Sequence, residues 1–133
     1  MFKDYYLILE VSYDASAADI KSAYRAKSMR WHPDRNPDRD VTHVMQEINE
    51  AYAILGDAEK RQRYDLEYLR YRATSDAWKV DEFVVQDEAV AEDIKQARQS
   101  AQELVAEFMK SFKHTAKTTA KGAGEVSRGY VFA

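Results

Sequence analysis

Val44, Met45, Ile48, Ala51, Tyr52 and Leu55 recur at steps of three and four, which predicts an amphipathic helix from about Val41 to Leu55. Ile20, Ala23, Tyr24 and Trp31 form a second stripe and predict a helix from about Ala17 to Trp31. Ser16 and Asp19 stand three apart ahead of it, a capping box with Asp in the place usually held by Glu. Pro33 ends that helix, because the residue before a proline is pushed out of helical geometry. The apolar run "DYYLILEV" has Asp4 as its N-cap and is long enough for a short first helix. Gly56 is positioned as a C-cap, and Asp57 then opens a fourth helix, "AEKRQRYDLEYLRYR". Four helices over the first 65 residues share one small core, and a core of that size gains from anything packed against it.

The texture changes after Tyr71. Residues 72–86 read as a connector, and residues 87–113 as one amphipathic helix with a narrow seam of Val90, Ile94, Ala97, Ala101, Leu104 and Phe108. Acidic side chains crowd its start and Lys110 and Lys113 its end, as the helix dipole favours. Such a seam has three possible fates: folding back onto the first unit, pairing with a second copy, or receiving a client or partner protein. Residues 114–133 are small, polar and basic, and read as a flexible tail; the closing "GYVFA" is a candidate docking peptide or a frayed end.

Composition narrows the chemistry. Only four glycines and two prolines in 133 residues argue against a many-turned β-fold, so an all-α chain is expected. The absence of cysteine excludes disulfides and thiolate zinc sites and fits a reducing compartment. No apolar run approaches the roughly 20 residues a bilayer crossing needs, and the net charge of −3 exerts no general pull on nucleic acid or acidic membranes. A cytoplasmic protein with no membrane or nucleic-acid partner is therefore expected. His32, Asp34, His43 and His114 could ligate a metal, but no two histidines share a spacing that puts them on one helix face, so neither metal nor cofactor is expected. Nothing orders serine, histidine and acid residues into a nucleophile site, which argues against an enzyme.

The loop "WHPDRN", Trp31 to Asn36, carries the main functional signal. Pro33 fixes its own φ and restricts His32, so a histidine and an aspartate are presented in few conformations and less entropy is lost on binding. On the preceding helix Lys21 and Arg25 lie one turn apart, about 40° around the axis, facing away from the apolar stripe. Like charges at that spacing repel mildly and do nothing for the helix, whereas they suit an acidic docking partner. Each residue also has a plainer reading: a turn histidine, an Asx-turn at Asp34, a solvated basic face.

Taken in order, "DYYLILEV", "DIKSAYR", "HPDRN", "EINEAY" and "DAEKRQRYD" resemble a J-domain, the module that defines the DnaJ-type co-chaperones, over about Asp4 to Asp65. The resemblance implies a four-helix J-domain with an antiparallel helical hairpin, within residues 1–71. It implies a partner, a DnaK-type chaperone of the seventy-kilodalton heat-shock class, whose ATP hydrolysis it accelerates. His32, Pro33 and Asp34 would be the triggering loop, and Lys21, Tyr24, Arg25, Arg35 and Asn36 the docking residues. Lys60 and Arg61 are typical of the family and either function or only decorate the fourth helix. Two departures stand out: Glu10 replaces the usual glycine, and Ala26 and Lys27 stand where a basic residue and a leucine are common. The extension has none of the glycine/phenylalanine-rich, zinc or client-binding modules of full-length DnaJ proteins. It is expected to target the chaperone to one client or complex, with Val90, Ile94, Leu104 and Phe108 as the candidate contact seam. The competing expectation is an interaction scaffold that keeps the fold and stimulates no ATPase.

Overall fold

The computed structural model describes residues 1–74 and 83–118, with side chains to Phe112. The helices are α1 (Tyr5–Leu9), α2 (Ala17–Arg30), α3 (Thr42–Leu55), α4 (Ala58–Arg72) and α5 (Glu88–Thr118), with a 3₁₀ turn at Pro33–Arg35. Among the described residues there is no strand, and no helix is long and apolar enough to cross a membrane. The helix of the extension runs to Thr118 and so enters the stretch expected to be a tail; the "GYVFA" ending and most of the connector lie outside the described residues.

Local signals start the helices as expected. The Asp4 carboxylate accepts from Leu7 N–H, Ser16 and Asp19 make the reciprocal capping box, and Asp57 accepts from Glu59 and Lys60 N–H. Gly56 differs in its reason. Its φ of −81° is ordinary, but a Cβ there would sit 2.6 Å from the Tyr52 carbonyl oxygen and 2.8 Å from the Tyr52 ring, so glycine is required by close approach. Glu10 does take the left-handed conformation (φ 57°) that glycine would hold more cheaply. Lys27 Nζ lies 2.7 Å from its carboxylate, so the two departures from the family pattern are partners.

α2 and α3 form the antiparallel hairpin, with Tyr24 stacked on Tyr52 at a centroid distance of 4.0 Å and its hydroxyl donating to Asn49 Oδ1. α1 and α4 close one side of it through Phe2, Tyr5, Tyr6, Tyr64 and Tyr68, whose rings lie within about 6 Å of one another in sequence of contact. Arg61 binds the Tyr6 hydroxyl and the Tyr13 and Ala15 carbonyls, which accounts for it as a structural residue.

The extension folds back. α5 runs antiparallel to α3, and Val90, Ile94, Ala97, Ala101, Val105 and Phe108 are buried against the first unit. One expectation is corrected in register: Leu104 is 44% exposed and Val105 is fully buried in its place. The seam of Val90, Ile94 and Phe108 is thereby occupied by the chain's own core. Burial of each large side chain stabilises by roughly 1.5–3 kcal/mol, which is substantial beside the marginal core of four short helices.

α5 is also held by charge. Glu50, 2% exposed on α3, accepts from Tyr5 Oη (2.5 Å), Lys3 Nζ (3.1 Å), and Arg98 Nε and Nη2 (3.2 and 3.1 Å). Burial would raise its pKa, but the hydrogen bonds from Arg98 and Tyr5 and the charges of Lys3 and Arg98 outweigh it and hold the carboxyl below its ordinary value. A second pair, Arg63 Nε to Asp93 Oδ2 at 2.8 Å, ties α4 to α5.

Candidate functional site

The loop between α2 and α3 is tightly organised by its own polar groups. Trp31 leaves the helix with ψ 19°, and His32 turns to an extended conformation (φ −68°, ψ 141°), as a residue preceding proline must. His32 Nδ1 then accepts the Asp34 backbone N–H at 3.1 Å, so the histidine side chain caps the 3₁₀ turn that Pro33 begins. Asn36, 8% exposed, donates from its amide to the Arg30 and His32 carbonyls at 3.0 and 2.8 Å and locks the loop from behind. Arg39 lies over the Trp31 ring, 5.0 Å from its centroid.

The expected site residues fall into two groups. Lys21, Arg25, Asp34 and Arg35 are exposed and free to meet a partner. Tyr24 is 4% exposed and packs α2 on α3, and Asn36 is buried and bonds the loop carbonyls. Pro33 is buried too.

His32 is the unexpected member. It is 5% exposed, with the rings of Phe108 and Phe112 at 5.6 and 6.2 Å and nearly perpendicular to it. Since Nδ1 accepts a hydrogen bond, the proton of the neutral ring sits on Nε2, and that buried atom has no hydrogen-bond partner among the described residues. Desolvation lowers the histidine pKa; the Asp34 charge opposes this and the Arg35 charge adds to it. Sequence reasoning did not anticipate Phe112. Its only signal is that it lies one turn beyond Phe108, at the end of the seam.

No cluster of three or more His, Asp or Glu side chains able to hold a metal occurs among the described residues.

A family model described as the DnaJ domain matches residues 4–65, the stretch that builds α1 to α3, the loop and the first half of α4. Residues 4–65 form a J-domain. The chain is 54% identical to the chaperone protein DnaJ of Mycoplasmoides gallisepticum over 63 residues, 47% of this chain and 16% of that one. It is 56% identical to DnaJ of Salinibacter ruber over 66 residues (49% and 17%), and 51% identical to a DnaJ of Methanosarcina mazei over 63 residues (47% and 16%). The chain thus covers only about a sixth of the length of these relatives, all of it through the J-domain. No solved structure matches. Within the J-domain, the exposed basic face of α2 and the capped His-Pro-Asp turn stand on consecutive elements. α5, which lies outside the matched residues, supplies the aromatic cover over the histidine.

Proposed function

We propose that this protein is a co-chaperone whose J-domain stimulates ATP hydrolysis by a DnaK-type chaperone. The observation that carries the reading is the His-Pro-Asp turn, held in one conformation by His32 Nδ1 and the Asn36 amide and placed directly after the exposed Lys21 and Arg25 of α2. The basic face docks on an acidic surface of the chaperone, and its contribution weakens as salt rises. The turn then contacts the chaperone where binding favours the hydrolysis-competent state over the resting one, which is coupling between two sites in the thermodynamic sense. The catalytic groups are the chaperone's.

Targeting to one client or complex through residues 87–133 belongs to the same proposal. With Val90, Ile94 and Phe108 turned inward, the face of α5 open to a client is the outer one, on which Leu104 is exposed. A competing scaffold, which recruits a partner without stimulating an ATPase, draws support from the burial of His32.

Single-turnover ATP hydrolysis by the DnaK-type chaperone of the same cell separates the two. Wild-type protein is expected to accelerate it, Asp34→Asn to abolish the acceleration, and Lys21→Ala/Arg25→Ala to raise the concentration required. Asp34 is exposed and asparagine keeps its size, so circular dichroism of Asp34→Asn is expected to match wild type. Equal, unstimulated rates with every variant would leave the scaffold.

A further inference from the structure

Access to the two halves of this surface is unequal. Lys21, Arg25 and Asp34 are open, whereas the His32 imidazole is shut beneath Phe108 and Phe112. Those two rings are themselves stacked, 6.2 Å apart and inclined by 25°, and form a continuous aromatic plate. Among the described residues the buried Nε2–H of His32 has no acceptor under that plate, so the closed arrangement carries a desolvation cost that exposure to water or to a partner's acceptor would remove.

The attachment of α5 is also uneven along its length. The ion pairs with Arg63 and Glu50 are made by Asp93 and Arg98, in its first half. Beyond Arg98 the buried positions are Ala101, Val105 and Phe108, with Met109 and Phe112 half-buried. The charged clasp therefore holds the end remote from the loop, and the end over His32 is packed through Val105, Phe108, Met109 and Phe112.

We propose that the segment of α5 from Val105 to Phe112 is an autoinhibitory lid on the trigger histidine, displaced when the chaperone or a client engages the protein, while the Asp93 and Arg98 anchors stay in place. The inference rests on the co-chaperone reading and adds its regulation. In the closed form α2 can dock but His32 is withheld. If only a fraction of molecules is open, the concentration for half-maximal stimulation is raised by the inverse of that fraction, and the plateau at saturation is unchanged.

The test uses the full chain. Phe108→Ala is expected to lower the half-maximal concentration by about tenfold, within the 5–150-fold range usual for coupled sites, with the same plateau; Phe112→Ala should act in the same direction but less. His32→Gln combined with Phe108→Ala should stimulate nothing. NMR of the histidine ring protons supplies an independent readout. His32 of wild type should titrate below the ordinary value of about 6.5, and that of Phe108→Ala should return toward it. Urea unfolding establishes that Phe108→Ala is folded; if it is not, the half-buried Phe112→Ala decides. A variant whose His32 titrates normally but whose half-maximal concentration equals that of wild type would overturn the lid and leave the co-chaperone reading standing. Absence of stimulation by wild type and by variants with a demonstrably open His32 would remove the co-chaperone reading, and the lid's regulatory role with it.

Discussion

Arg98→Ala tests whether α5 is an integral part of the J-domain's packing. It removes the guanidinium from Glu50, a carboxylate 2% exposed, and leaves Tyr5 and Lys3 as its partners. Removing one side of a buried ion pair costs about 3–5 kcal/mol. Arg98 is itself 30% exposed and two partners remain, so about 2–3 kcal/mol is expected here. For a chain of this size that is a fall in melting temperature of about 10 °C. Glu50→Gln in the Arg98→Ala background should recover part of the loss, with a coupling energy of about 1.5–2 kcal/mol in the double-mutant cycle. The pH dependence gives a second handle. In wild type the folded-state pKa of Glu50 lies below its unfolded value, so its contribution is present above about pH 4.5 and lost as pH falls through the folded value. Without Arg98, burial dominates and raises that pKa, so the folded variant takes up a proton more readily than the unfolded chain. The stability gap between variant and wild type should therefore narrow as pH falls from 7 toward 5. Urea unfolding at a series of pH values measures both. A loss below about 0.5 kcal/mol, in the range of an ordinary surface substitution, with a gap independent of pH, would refute the clasp.

The remaining expectations are more local. Val105→Ala should destabilise by about 1–2 kcal/mol through lost burial, and Leu104→Ala should stay within about 0.5 kcal/mol; the reverse order in urea unfolding would refute the register of α5. Tyr24→Phe should cost about 1–2 kcal/mol by leaving Asn49 without its donor, while stimulation of the chaperone at saturation is unchanged; lost stimulation in a folded variant would support Tyr24 as a docking residue. Burial lowers the His32 pKa in the folded state, opposed by Asp34 and assisted by Arg35. The unfolded chain thus binds more protons below about pH 6.5, and stability from this site should fall as pH drops through that value. Urea midpoints of wild type and His32→Gln at pH 7.5 and 5.5 should converge on that account, and parallel midpoints would refute it.

What the sequence determined by itself is what depends on neighbours within a helical turn or two. Asp4, Ser16 with Asp19, and Asp57 start helices because a side-chain oxygen meets N–H groups two or three residues away. Pro33 stops α2 by clashing locally with the residue before it. The J-domain frame could be read for the same reason, since its motifs lie in one linear order over residues 4–65. Tertiary structure decided everything that links distant residues. Glu50 reads as a solvent-facing position until Arg98, 48 residues away, is brought onto it. Tyr24 already stood on the apolar stripe, but its bond to Asn49, and the hold of Asn36 on the loop carbonyls, came only with the fold. Leu104 and Val105 lie about equally far, roughly 50°, from the centre of the α5 stripe, so periodicity could not choose between them; the surface of α3 did, and took Val105. The covering of His32 by Phe108 and Phe112 belongs to the same class. A histidine in a polar loop carries no local sign that a helix some 76 residues later will lie across it, because only the packing of α5 along α3 brings the two together.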